Sequence, residues 1–248
     1  MFKHTVAAAA LLASGSALAA DDAILFNSLN ARYIDSELGN LSGDGYGIDL
    51  NVALTEYLFA TVDYSTRTFD DSTGDADLEF FSGGLGMNFA LNEARTLQLY
   101  AAATWEQIDL DVATSAGGGD GGDGGGNALC DSPLGGLLGL LGICDAMAGQ
   151  TTTSKALVLP SNGRTDGYGL TGGIRALVFD NLEVNAQYKY REYDSDEETL
   201  YGAGVGYNFG NWVVLARYES YEELDLDEWS VGVGYTFGKT AGDSGSIW

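Results

Sequence analysis

The chain has 248 residues, with 36 Gly, 14 Tyr and 10 Phe but only 2 Pro, and its 36 acidic residues against 11 Lys and Arg give a formal net charge of −25. So anionic a surface repels nucleic acid, and past the first twenty residues no apolar run is long enough to cross a bilayer as a helix. Glycine and aromatics in this proportion point to β-structure with tight turns.

The N-terminus opens with Lys3 and His4, continues through an apolar stretch over 6–12 and reaches Ala17-Leu18-Ala19 ahead of Asp21-Asp22. This order of basic start, short apolar centre and small residues reads as a secretory signal, 1–19, cut after Ala19 or alternatively after Ala20. A membrane-anchoring helix is disfavoured because the stretch is short, rich in Ala and broken by Ser14-Gly15-Ser16. Export makes one disulfide the natural state of the two cysteines, Cys130 and Cys144.

From there on, apolar and polar residues alternate with period two. The spacing predicts strands over 24–34, 45–54, 56–69, 78–91, 97–111, 166–179, 182–193, 199–209, 212–221 and 228–237. The seventh is the clearest: Leu182, Val184, Ala186, Tyr188 and Tyr190 face one way, and Glu183, Asn185, Gln187, Lys189 and Arg191 the other. Most segments reach the length a tilted strand needs to cross a bilayer, about nine to eleven residues.

The connections sort in the same way. Those after even-numbered strands are short: 55, 92–96, 180–181 and 210–211. Those after odd-numbered strands, 35–44, 70–77, 112–165, 194–198 and 222–227, carry acidic residues. Aromatics mark the strand ends, with Phe89, Phe209, Trp212 and Phe237 at one rim and Tyr64, Trp105, Tyr190, Tyr201, Tyr218 and Trp229 at the other. Two aromatic belts around an apolar outer face describe a closed antiparallel transmembrane β-barrel of about ten strands, or alternatively eight, over 20–238. A soluble sandwich or lipocalin-like barrel would turn the apolar face inward.

The inner face then carries Arg32, Asp49, Asp63, Arg67, Glu106, Arg175, Glu183, Lys189, Arg191, Arg217 and Glu219, a nearly balanced set in an acidic protein. Confined opposite charges should pair, because an unpaired buried charge costs several kcal/mol. Gly84, Gly86, Gly202, Gly204, Gly206, Gly232 and Gly234 project to the same side from even-numbered strands, which suits long side chains lying against small ones. The lumen is thus a polar core that fills the barrel, or a narrow charged pore.

Within the long connection 112–165, the run 117–126 of glycine with Asp120 and Asp123 reads as a solvated linker rather than a calcium repeat. Between Cys130 and Cys144 lie Leu134, Leu137, Leu138, Leu140, Leu141 and Ile143, aliphatic residues that should not be left in water. This makes 127–150 the candidate surface-interaction element, the alternative to a structural or narrow-pore role. Divalent cations would associate with the acidic loops and bridge them to anionic lipid phosphates.

The last strand, Ser230-Val-Gly232-Val-Gly-Tyr235-Thr-Phe237, has the order polar, any, glycine, two of any, aromatic or apolar, any, aromatic. In this it resembles the small bacterial outer-membrane barrel superfamily that includes the OmpA transmembrane domain and OmpX. The resemblance implies a Gram-negative outer-membrane location, lipid and lipopolysaccharide as surroundings, and Ser230, Gly232, Tyr235 and Phe237 as the signal read by the barrel-assembly machinery. It departs at the tail 239–248, because the family's signal normally ends the chain. Barrel enzymes of the protease, deacylase and phospholipase types depend on a histidine, and the one histidine here, His4, lies in the signal. No catalytic, cofactor or metal set is expected.

Overall fold

The computed structural model describes residues 26–39, 41–71, 74–93, 96–114, 163–179, 181–193 and 196–237. They form ten strands: β1 Ser28–Leu38, β2 Leu41–Ala53, β3 Leu58–Asp71, β4 Gly74–Ala90, β5 Leu97–Thr114, β6 Gly163–Phe179, β7 Leu182–Tyr193, β8 Asp196–Phe209, β9 Trp212–Tyr221 and β10 Leu226–Thr236. Each pairs with its neighbours in the chain, and β1 closes on β10. The antiparallel seam runs from Ser28 opposite Thr236 to Leu38 opposite Leu226. Closure pairs the edges that an open sheet would leave bare.

Period-two alternation sends every second side chain inward, as the strictly alternating burial of β1 shows. In the middle of the barrel the outward residues are apolar, such as Val205, Val214, Val231 and Val233. An aromatic belt follows in register toward one end: Tyr33 opposite Tyr46, Tyr64 opposite Phe81, Trp105 opposite Tyr168, Tyr188 opposite Tyr201 and Tyr218 opposite Trp229. The ring centroids of Tyr33 and Tyr46 lie 5.7 Å apart, and those of Tyr218 and Trp229 4.9 Å. Phe209, Trp212 and Tyr235 belong to the belt at the opposite end, where Trp212 and Tyr235 sit 5.1 Å apart. That end holds the start of β1 and the end of β10. It is called periplasmic here, after the orientation such barrels adopt.

Strands run further than the alternation predicts at the external end. Strand β2 begins at Leu41 rather than residue 45, β4 at Gly74 rather than 78, β8 at Asp196 rather than 199, and β1 extends to Leu38 rather than 34. Much of the sequence assigned to external loops is therefore ladder. The connection after β9 shrinks to the turn 222–225 and that after β1 to 39–40. Gly39 takes a φ of 58° there, and Gly210 one of 68° in the two-residue turn 210–211, conformations that glycine adopts without a Cβ penalty. The length contrast expected between the two ends survives only at 115–162, outside the described residues.

The reason is a reversal of polarity along each strand. Beyond the external belt, outward positions become polar, as at Glu37, Asp44, Asp77, Asp111, Glu197 and Asp227, while inward positions become apolar. Leu38, Phe69, Leu78, Ile108, Leu200 and Leu226 join one buried cluster to which every strand except β6 contributes. A strand outside the hydrocarbon faces water, so burial drives its apolar side inward as in a soluble barrel.

Candidate functional site

The inward residues lie in three layers. At the external end the apolar cluster forms a cap. Leu224, in the β9–β10 turn, is buried in it, and that turn is held by Gly39 N–H donating to Asp225 O at 3.1 Å and Glu222 N–H to Thr199 O at 2.9 Å. Below the cap is a charged belt, and toward the periplasm a layer of rings.

The belt holds the charges predicted from the sequence. Arg32, Asp49, Arg67, Glu106, Arg175, Glu183, Lys189, Arg191 and Glu219 are buried, and Asp63 and Arg217 are half-buried on the same inner face. Arg32 reaches Asp63 at 2.7 Å on one side and Glu219 at 3.1 Å on the other. Lys189 and Arg191 share Glu106, at 2.8 and 3.3 Å. Asn30 donates to Asp49 at 2.6 Å, and Arg175 donates twice to Gln98 at 2.9 and 2.5 Å. Arg217 lies 3.9 Å from Glu219.

The contacts of Arg32 with Asp63 and Glu219, and of Lys189 and Arg191 with Glu106, join next-but-one strands across an intervening strand that carries glycine. Arg32 pairs in register with Gly47 on β2 and Gly232 on β10, the strands it crosses to reach Asp63 and Glu219. A Cβ at Gly47 would lie 2.6 Å from the Arg32 Nε. Lys189 and Glu106 meet across β6, where a Cβ at Gly169 would stand 2.7 Å from the Glu106 carboxylate. Gln187 donates to Glu219 at 2.9 Å across Gly202, whose Cβ would fall 2.9 Å from the Gln187 stem. At these glycines the even-numbered strands are the floor on which side chains of odd-numbered strands lie, and the glycines of β2 and β6 extend the set read from the sequence.

Two carboxylates were missed. Glu228 is buried and receives the Arg67 guanidinium, Nη2 to Oε2 at 2.6 Å with Nε donating to Oε1, and Ser36 donates to it at 3.3 Å. The same alternation that places Ser230 inward also covers position 228, so the signal was present. Glu198 is buried with both carboxylate oxygens lacking a hydrogen-bond partner among the described residues. The alternation begins β8 at residue 199, three residues later than the ladder does, and so leaves Glu198 in a loop.

At the periplasmic end, Phe26 stacks on Phe59 with centroids 3.9 Å apart and planes 7° off parallel, and the Arg175 guanidinium covers its other face at 3.7 Å. Tyr100 meets Phe26 edge-on at 6.1 Å. Gly86 and Gly173 provide the recesses for the Phe59 and Tyr100 rings, which a Cβ at either position would strike. Between this layer and the cap lies a cavity of about 160 Å³, lined by both layers and by Arg32, Asp63, Lys189, Arg217 and Glu219.

Of the other predicted positions, Ser230 and Gly232 point inward, Tyr235 points outward, and Phe237 follows β10. The proposed signal 1–19, the Cys130–Cys144 pair, the element 127–150 and the tail 239–248 lie outside the described residues. No group of three or more Asp, Glu, His or Cys suited to a metal ion occurs among the described residues.

Among solved structures, the KdgM porin in complex with disordered oligogalacturonate is 10% identical, with a TM-score of 0.38, covering 85% of this chain and 99% of that one. Ail, the attachment invasion locus protein of Yersinia pestis, is 14% identical with a TM-score of 0.37, covering 85% and 97%. Neisserial surface protein A is 15% identical with a TM-score of 0.36, covering 85% and 95%. Likeness at this level adds nothing to the fold already described. No curated protein matches the chain in sequence. The family described as outer membrane protein beta-barrel domain matches residues 5–237, nearly the whole chain, and the protein belongs to it.

Proposed function

We propose that this protein is a non-enzymatic outer-membrane barrel with a closed, largely filled lumen, whose role is structural and not that of an open channel. The observation that carries this reading is the apolar cap, to which nine of the ten strands contribute buried side chains above a belt of paired charges. A hydrated ion meets hydrocarbon there in place of water, and stripping its hydration costs several kcal/mol. Pairing within the belt supports the same reading, because cations engaged by Glu106, Asp63, Glu219 and Glu228 are not free to attract a permeant anion. The non-catalytic part rests on chemistry: the one histidine, His4, lies in the segment read as a cleaved signal, and on that reading no imidazole is available to the lumen as a general base. The outer belts and the valine band between them suit contact with lipid and lipopolysaccharide.

Single-channel recording of the refolded protein in a planar bilayer tests the reading. A quiet baseline is expected, and stepwise openings would overturn it.

A further inference from the structure

The two ends of the lumen are closed by different means. At the external end the cap is made of side chains on paired strand residues, with Leu224 in a turn tied at both of its ends, so opening it requires the barrel wall to deform. At the periplasmic end the closing ring belongs to Phe26, which precedes the first paired residue of β1, Ser28. Phe26 is 5% exposed, clamped between Phe59 and Arg175, and it lines the cavity. The neighbouring Asn27 anchors the segment at the rim, its Oδ1 accepting from Ala53 N–H at 2.8 Å and its carbonyl from Phe237 N–H at 3.2 Å. Rotating one residue outward, with no ladder bond broken, would remove the ring from its slot.

We propose that Phe26 is a detachable stopper. The polar cavity above it communicates with the periplasmic side when the ring leaves the slot between Phe59 and Arg175, and the external end stays shut. The cavity behind it, walled by Arg217, Lys189, Arg32, Asp63 and Glu219, admits small water-soluble molecules from that side alone. The proposal rests on the closed-lumen reading, and the two fail separately: a conducting wild-type barrel sinks that reading, whereas a quiet wild-type barrel whose labelling rate is the same with and without the Phe26 ring sinks the stopper alone.

The test uses Ser82→Cys, a near-isosteric change at a buried residue lining the cavity, in a background in which Cys130 and Cys144 are replaced by Ala. The full chain is refolded into vesicles and treated with a membrane-impermeant methanethiosulfonate from one face at a time. Labelling tracks the population of the open form, so Phe26→Ala should raise the rate from the periplasmic face by about tenfold or more, while Phe26→Trp, which keeps a ring in the slot, should leave it low. The rate from the external face should not change in any variant. Equal periplasmic rates in Phe26→Ala and the parent, or a rise from the external face, would overturn the proposal. Should Phe26→Ala fail to refold, Asn27→Ala keeps the ring and removes one anchor, and it must then label faster than the parent from the periplasmic face; an unchanged rate would be contradictory.

Discussion

The Lys189 ammonium lies 2.8 Å from the Glu106 carboxylate although their strands, β7 and β5, are not neighbours. What lets them meet is Gly169 on β6, over which the Glu106 carboxylate lies. A side chain there would take the place of the carboxylate and leave two buried cations without it. Gly169→Val should therefore lower stability by about 3–5 kcal/mol, the cost of breaking a buried pair, in a urea titration in lipid vesicles. Gly172 faces outward with nothing within 4 Å of a Cβ, so Gly172→Ala should stay within about 0.5 kcal/mol. Equal effects at the two glycines would contradict the account of the lumen.

Arg67 and Glu228 make the corresponding contact beneath the cap, from β3 to β10. Arg67→Met alone leaves a buried carboxylate, and Glu228→Leu alone a buried guanidinium, so each should cost about 3–5 kcal/mol. The double variant removes both charges and replaces them with apolar groups suited to the cap. It should recover most of that loss in the same titration, and additive losses would show that the two residues do not act as a pair.

The reversal of polarity beyond the aromatic belt predicts opposite tolerances on the outer face. Val205, on the lipid-facing side in the middle of β8, should not accept a charge, and Val205→Arg should cost about 2–4 kcal/mol. Glu37 is outward on β1 beyond Tyr33, and Glu37→Arg should change stability by no more than about 0.5 kcal/mol. Unfolding in vesicles measures both. A tolerant Val205 or a sensitive Glu37 would place the membrane boundary elsewhere.

Within the cap, Leu226 is fully buried. Leu226→Ala should cost about 2–5 kcal/mol, as large-to-small changes in a packed core do. The conservative Leu226→Met should cost less than about 1.5 kcal/mol. Comparable losses for the two would indicate that packing does not hold the cap.

The barrel was legible where a single rule governs a strand from end to end. In β7 every inward position from Glu183 to Arg191 is polar and its outward partners are apolar or aromatic, so the alternation marks both faces. It failed where the rule inverts. Leu38 falls in a predicted loop, and Leu78 and Leu200 at the start of predicted strands, because an apolar residue there stands among acidic neighbours; in fact the ladder continues past each of them with its faces exchanged. Glu198 was lost with that boundary. Glu228 was lost for another reason, since its identity as the partner of Arg67 depends on a closure that brings β10 within reach of β3. The stopper was legible only in part: the alternation that turns Arg32 inward also turns Phe26 inward, whereas its place between Phe59 and Arg175 depends on the closed barrel.

The closed lumen is tested most directly by osmotic swelling of liposomes carrying the refolded wild-type protein, diluted into a small neutral sugar. The account predicts swelling no faster than in protein-free liposomes. Swelling that rises with the amount of protein reconstituted would contradict it.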